Sequence, residues 1–295
     1  GEATAPIEPT ARPTYLPPPS GGDRLAFASN RAGHFDIYLI DIDGSNLRRL
    51  TDQPGPDFDP AWSPDGTQIV YVSRPSLEEN AHLWIMNADG SDKQPITGGP
   101  ADDINPDWSP DGEWIAFASN RGGNFDIYLV RPDGSGLRAI TEGSLNELSP
   151  RWAGNGVLIA YHARAGNQSA GSELYIMDSS GGVPNQLTNN DFIDQWPDWS
   201  PDSLRLAFTS GNGLPEGQRA IFVLDFATNM VTQVTEGQSH DDDPAWSPDG
   251  TRIAFDSDRD GDGVFDLFIL NLMAGEVARL TDNSGDNVTP VWQPR

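Results

Sequence analysis

A tryptophan that returns every 44 to 47 residues constrains this chain more than any other feature. Pro60/Trp62, Pro106/Trp108, Pro150/Trp152, Pro197/Trp199, Pro244/Trp246 and Pro290/Trp292 place six of the nine tryptophans in one slot, two residues after a proline. A second marker, an aliphatic residue followed by threonine, keeps the same phase at Thr51, Thr97, Thr141, Thr188, Thr235 and Thr281. Two independent markers in phase define six copies of one supersecondary unit.

Within one copy, Asp107-Trp108-Ser109 reads as a short first strand, and Ser109-Pro110-Asp111-Gly112 as a tight turn in which Pro fixes φ and Gly tolerates a positive φ. Trp114 to Ser119 reads as the second strand, Asp126 to Val130 as the third after a Gly-containing hairpin, and Leu137 to Thr141 as the fourth after Pro132-Asp133-Gly134. Four strands per unit make one blade of a propeller. The first unit starts on a second strand, Leu25 to Ser29, and has no Trp strand of its own, while Asn287 to Arg295 supply one with Trp292. The expectation is an all-β, six-bladed β-propeller of four-stranded antiparallel blades over residues 23–295, closed by the C-terminal strand joining the N-terminal blade. Such closure removes free sheet edges along the ring.

Residues 1–22 hold six prolines, including Pro17-Pro18-Pro19, and end in Ser20-Gly21-Gly22, which reads as a proline-rich disordered tether. No run approaches the ~18 apolar residues of a membrane span, so direct membrane insertion is not expected. Residue 1 is Gly, in keeping with a mature or trimmed form. The chain has no cysteine, which excludes disulfides and thiolate metal sites. A net charge of −26, from 44 acids against 18 bases, repels phosphate backbones and anionic lipid. Nucleic acid is excluded as a partner on that ground, and the charge suits either plain solubility or a cationic ligand.

The repeat, Trp108-Ser-Pro-Asp-Gly112, Ile115-Ala-Phe-Ala-Ser-Asn-Arg121, Phe125-Asp-Ile-Tyr128 and Asp133-Gly-Ser135, resembles the TolB propeller repeat. The resemblance covers all six blades. Only the proline-rich segment precedes the first of them, with nothing like the separate α/β domain of TolB, so TolB's own partner binding does not transfer as a whole. What the resemblance implies is an extracytoplasmic interaction module, in the periplasm or at the cell surface, without catalysis of its own; a monomer is expected. A surface-displayed domain on a proline-rich tether fits that expectation.

Two acidic constellations stand out. Asp258, Asp260, Asp262, Gly263, Val264 and Asp266 fall in the hairpin between the second and third strands of the last blade, in the order of a calcium loop. Calcium takes several hard oxygen ligands, and alternating Asp followed by Gly lets a short loop curl carboxylates round one ion. Val264 would add its carbonyl, and Asp266 would bind directly or through water. Ile269 stands where an EF-hand has Glu, and strands replace the flanking helices, so the segment resembles instead the Asp-x-Asp-x-Asp-Gly loops of other β-propellers. Ca2+ is the cofactor expected. Asp36 and Asp126 share the slot of Asp266, leaving open a structural role for that residue, whereas Asp260 and Asp262 lie in an insertion of two residues without counterpart in the first blade.

The second constellation lies five residues before each Trp: Asp57, Asp103, Glu147, Asp194, Asp241 and Asn287. The start of each first strand belongs near one mouth of the channel, where five carboxylates would hold protons or attract a metal, an amine or a basic peptide. Asp59, Asp242 and Asp243 can add oxygens. The other reading is that each acid caps its own blade turn. Trp196, in a slot otherwise small or polar, is either an aromatic wall for a ligand or blade packing. His240, beside the channel acids, is either a solvated loop residue or an acid–base group.

No Gly-x-Ser-x-Gly elbow, His-rich metal motif or phosphate-cradling Gly loop is present. The loops of the channel face vary most, at Arg74 to His82, Arg164 to Glu173 and Gly211 to Arg219, and variable loops on a rigid scaffold are where binding resides. The function expected is a non-catalytic, calcium-stabilised module that recognises a peptide, protein or glycan there. Broadly similar six-bladed propellers hold calcium or manganese in the axial channel, so the alternative is a metal-dependent hydrolase or lyase with Asp241, Asp103 or Glu147 as ligands and His240 as base.

Overall fold

The computed structural model describes residues 23–76, 78–165 and 171–295. The segment read as a tether, 1–22, lies outside the described residues, as do parts of two of the variable loops.

Six four-stranded antiparallel sheets follow one another along the chain. β1 (Arg24–Ser29), β2 (Asp36–Asp41) and β3 (Arg48–Arg49) belong to the first blade. The second holds β4 (Asp57–Trp62), β5 (Gln68–Ser73), β6 (His82–Asn87) and β7 (Gln94–Pro95). The third holds β8 (Asp103–Trp108), β9 (Ile115–Ser119), β10 (Asp126–Val130) and β11 (Arg138–Ala139). The fourth holds β12 (Leu145–Trp152), β13 (Leu158–Ala165), β14 (Glu173–Asp178) and β15 (Asn185–Gln186). The fifth holds β16 (Asp194–Trp199), β17 (Arg205–Ser210), β18 (Ala220–Asp225) and β19 (Met230–Gln233). The sixth holds β20 (Asp241–Trp246), β21 (Arg252–Ser257), β22 (Asp266–Asn271) and β23 (Glu276–Arg279). Finally β24 (Asn287–Trp292) returns to pair antiparallel with β1, Leu25 opposite Trp292, and completes the first blade. Asp23, Arg252, Asp249 and Arg295 tie that junction with ion pairs of 2.5–3.3 Å.

The markers of the repeat each have a physical job. The hydroxyl of every marker threonine accepts the backbone N–H of the third strand fourteen residues earlier, from Ile37 to Thr51, Leu83 to Thr97, Ile127 to Thr141, Leu174 to Thr188, Ile221 to Thr235 and Leu267 to Thr281, at 2.8–3.0 Å. Each therefore stands where the outer strand has already ended, and the outer strand of the third blade is Arg138–Ala139 rather than Leu137 to Thr141. Each marker tryptophan joins a core cluster with the preceding blade, as Trp108 does with Val70 and Leu83 and Trp199 with Ala160 and Leu174. Six such clusters fill the six gaps between blades. A wide, flat indole suits a gap between two sheets better than a branched aliphatic chain.

The proline of the signature follows a bulge. First strands run from the acid to the tryptophan, longer than Asp107 to Ser109, and the residue before each proline, Asp59, Asn105, Ser149, Trp196, Asp243 or Thr289, has φ between 49° and 52°. There the register against the second strand shifts. A residue without an N–H costs nothing where the ladder is already broken.

Candidate functional site

First strands pack against first strands all round the ring, so they line the axis. The connections into them and the hairpins between second and third strands meet on one face, as the bond from His240 N to Asp258 Oδ1 at 2.8 Å illustrates.

The six residues expected at the channel mouth begin or nearly begin their strands, and all are 8% exposed or less. The hydrogen bonds formed there stay mostly within the blade. Asp194 accepts from Ser210 Oγ at 2.5 Å and from Asn190 Nδ2 at 2.8 Å. Asp241 accepts from Ser257 Oγ at 2.6 Å and Arg259 at 2.9 Å. Arg121 reaches Asp103 at 2.6 Å, and Arg31 reaches Asn287 at 2.7 Å. In blades 1, 3 and 6 a serine that ends the second strand and an arginine in the turn two residues on close the first-strand start. Asp57 lacks such an arginine, and burial pushes its carboxyl up to about 6. Burial likewise raises Glu147.

The expected calcium ligands face separate partners. Asp258 holds the Nδ1 of His240 at 2.8 Å, and that ring stacks on Phe265. Asp260 pairs with Arg279 at 2.6 Å, and the same guanidinium bonds Asp266. Asp262 accepts from Val264 N at 3.0 Å and Asn283 Nδ2 at 2.5 Å. Asp266 also accepts from the Thr281 hydroxyl at 2.5 Å, Asn283 N and Asn287 Nδ2. In this arrangement Arg279 supplies the positive charge between Asp260 and Asp266, and among the described residues no three acid or histidine side chains converge as metal ligands would.

Besides Asp59, Asp242, Asp243 and Trp196, the axis holds groups that the spacing rules did not single out. Asp107, Arg151 and Asp198 occupy one slot, just before the tryptophan, in three successive blades. Asp107 accepts from Trp152 N and Asp198 from Trp246 N, each at 2.7 Å. Burial pushes Asp107 up to about 6 and Asp198 to about 7 against the pull of Arg151. Higher on the ring, Arg219 binds Asp242 at 2.6 Å, and burial still raises that carboxyl to about 6. Asp243 and Asp256 rise well above the carboxylate range through burial and mutual repulsion with Asp242. Asp59 is raised by burial too, while it accepts from Asn105 Nδ2 at 2.7 Å. His162 is pushed down to about 3 by burial and by Arg164 and Arg151, so it is neutral at physiological pH.

Trp196 joins this set. Its ring meets His162 edge to face at 6.4 Å and lies under the guanidinium of Arg219 at 5.7 Å. A bulky side chain at φ 50° is unusual, and the other five blades carry Asp, Asn, Ser, Asp and Thr at the same bulge. The signal for the missed residues was substitution within a slot: Asp256 and His162 stand where three other second strands carry Ala28, Val72 and Ala118, and Asp107 and Asp198 where others carry Ala61 and Ala245.

Six four-stranded blades in a ring, first strands inward and the last strand of the chain closing the first blade, define a six-bladed β-propeller. Residues 9–76, 75–172 and 213–295 match the family model described as TolB beta propeller domain, and the chain belongs to that family. A Tol-Pal system protein TolB from Syntrophotalea carbinolica is 43% identical over 47 residues, 16% of this chain and 11% of that protein, so the match spans a small part of the relative's length. The solved TolB of Acinetobacter baumannii superposes with a TM-score of 0.79 at 21% identity over 92% of this chain and 67% of its own. A puromycin-hydrolyzing peptidase of Mycobacterium tuberculosis gives 0.62 at 16% identity over 89% of this chain and 44% of that one. At such identities the two structures share the fold alone.

Proposed function

We propose that this propeller is a non-catalytic interaction module working outside the cytoplasm, and that it binds a protein, peptide or glycan on the face where the axial ring opens. The observation that carries this reading is Trp196, an aromatic in left-handed backbone on a ring of otherwise small polar residues, between Arg219 and His162. Binding is favoured over catalysis because the carboxylates round it are tied to arginines and backbone N–H groups rather than arranged about a nucleophile. The TolB relatives support a protein partner and a periplasmic setting. Trp196→Gly suits the backbone and removes the ring. A periplasmic protein retained by the immobilised parent chain should be lost from this variant, and equal retention would refute the site.

Calcium at the Asp258–Asp266 hairpin belongs to the same proposal, with Arg279 withdrawing as the ion enters. Asp260→Asn with Asp262→Asn should abolish calcium uptake in calorimetry of chelator-stripped protein. Arg279→Gln should tighten it. Unchanged affinity in both variants would remove calcium from the hairpin.

A further inference from the structure

The outermost strand of each blade is an open sheet edge, and five of the six are guarded. β3 consists of two arginines, β7 contains Pro95 after Lys93, β11 contains Arg138, β15 follows Pro184, and β23 begins at Glu276 and ends at Arg279. Charges, prolines and shortness are the usual defences of an edge against pairing with another chain. β19 has none of them. It is four residues long where β3, β7, β11 and β15 have two, all four side chains are exposed, and the run Asn229 to Thr235 contains neither charge nor proline.

The backbone is ready to pair. Val234 gives its N–H to Ile221 O at 2.9 Å, so by strand alternation Met230 and Thr232 face β18 while Val231 and Gln233 turn N–H and C=O outward. At the end of the strand, an open cleft of about 590 Å³ lies between Gln233, Thr235 and Glu236 on one side and Val277 and Arg259 on the other. Glu236 is exposed and makes no ion pair among the described residues.

We propose that β19 is a strand-addition site for an extended segment of another protein, one that alternates β-branched residues and carries a basic side chain for Glu236. Main-chain bonds to Val231 and Gln233 would supply affinity, and the cleft would supply selectivity. Charge favours a foreign segment over a second copy, since each copy carries −26. The site is at the rim of the ring and is independent of Trp196.

The test is amide hydrogen exchange on the intact chain with the synthetic peptide acetyl-Lys-Val-Thr-Val-Thr-Val-Lys-amide at millimolar concentration. Exchange at Val231 and Gln233 should slow by about tenfold while the guarded edges are unchanged. Val231→Pro removes one outward donor without touching the internal ladder and should abolish the protection; if it disturbs the fold, Val231→Lys keeps the backbone and applies the same test. Absence of slowing, equal slowing at β3 or β11, or full protection in Val231→Lys would overturn the proposal. Protection without peptide, rising with protein concentration together with a dimer in sedimentation, would assign the edge to a second copy and overturn the foreign occupant.

Discussion

Blades 3 and 5 are built on one plan and differ at both ends. In each, an Asp opens the first strand, a second Asp precedes the tryptophan and accepts the next blade's tryptophan N–H, and a threonine hydroxyl takes the third strand's N–H. At the axis, blade 3 offers Asn105 and blade 5 offers Trp196, at φ 51° and 50°. At the rim, blade 3 ends in a short edge carrying Arg138, and blade 5 in a longer uncharged one. The middle of a blade is fixed by contacts to its neighbours, whereas its two extremities face solvent or the channel and are free to change. Blade 5 has changed at both.

The shared parts should fail alike. Trp108→Ala and Trp199→Ala each empty a gap between blades and should each cost about 3–5 kcal/mol in denaturant unfolding, as large aromatic truncations do. A much smaller loss in either would mean that the two interfaces are not equivalent. Thr141→Val and Thr235→Val leave a buried third-strand N–H without its acceptor, and each should cost about 1–3 kcal/mol.

The paired axial acids give a pH signature. A carboxyl whose folded pKa is raised favours the native state most below its unfolded value of about 4 and loses that contribution as pH rises through the folded value. Asp107 and Asp198 should therefore make stability fall between about pH 4 and pH 7, and Asp107→Asn or Asp198→Asn should flatten that fall in thermal melts. Asp198, with the higher value, should show the greater flattening.

The unshared ends should separate stability from binding. Trp196→Gly relieves left-handed backbone strain of about 1 kcal/mol or more and should hold or raise the unfolding midpoint while partner retention is lost. Val231→Lys is a surface change and should move stability by no more than ~0.5 kcal/mol while abolishing peptide protection at the rim. A large stability loss from either variant would erase the distinction between the blade's middle and its ends.

The clearest legible feature of the sequence was the repeat, because Trp, Pro and Thr each serve a need that recurs in every blade: a flat filler, a residue without an N–H at a bulge, and a hydroxyl acceptor beyond the outer strand. Closure of the ring was equally legible, since one unit lacked a first strand and the chain's end supplied one. The acids at the strand starts were found as a set, but spacing along a chain carries no information on which way a carboxylate turns. Ser210 and Ser257 at the ends of second strands, and Arg121 and Arg259 in the turns just beyond them, decide that.

The same holds for the hairpin of blade 6. Its Asp spacing matches a calcium loop, while Arg279, which joins Asp260 to Asp266, comes from the outer strand and is invisible to a pattern read within the loop. The sequence by itself determined the blades, their number, their register markers and their closure, because those depend on local periodicity repeated six times. Only the tertiary structure decided that Asp107, Arg151 and Asp198 meet near the axis, that Trp196 stands beside His162 and Arg219, and that β19 is the edge without a guard. Those facts depend on which residues of different blades the ring brings side by side, and burial in that shared interior is what moves their charges.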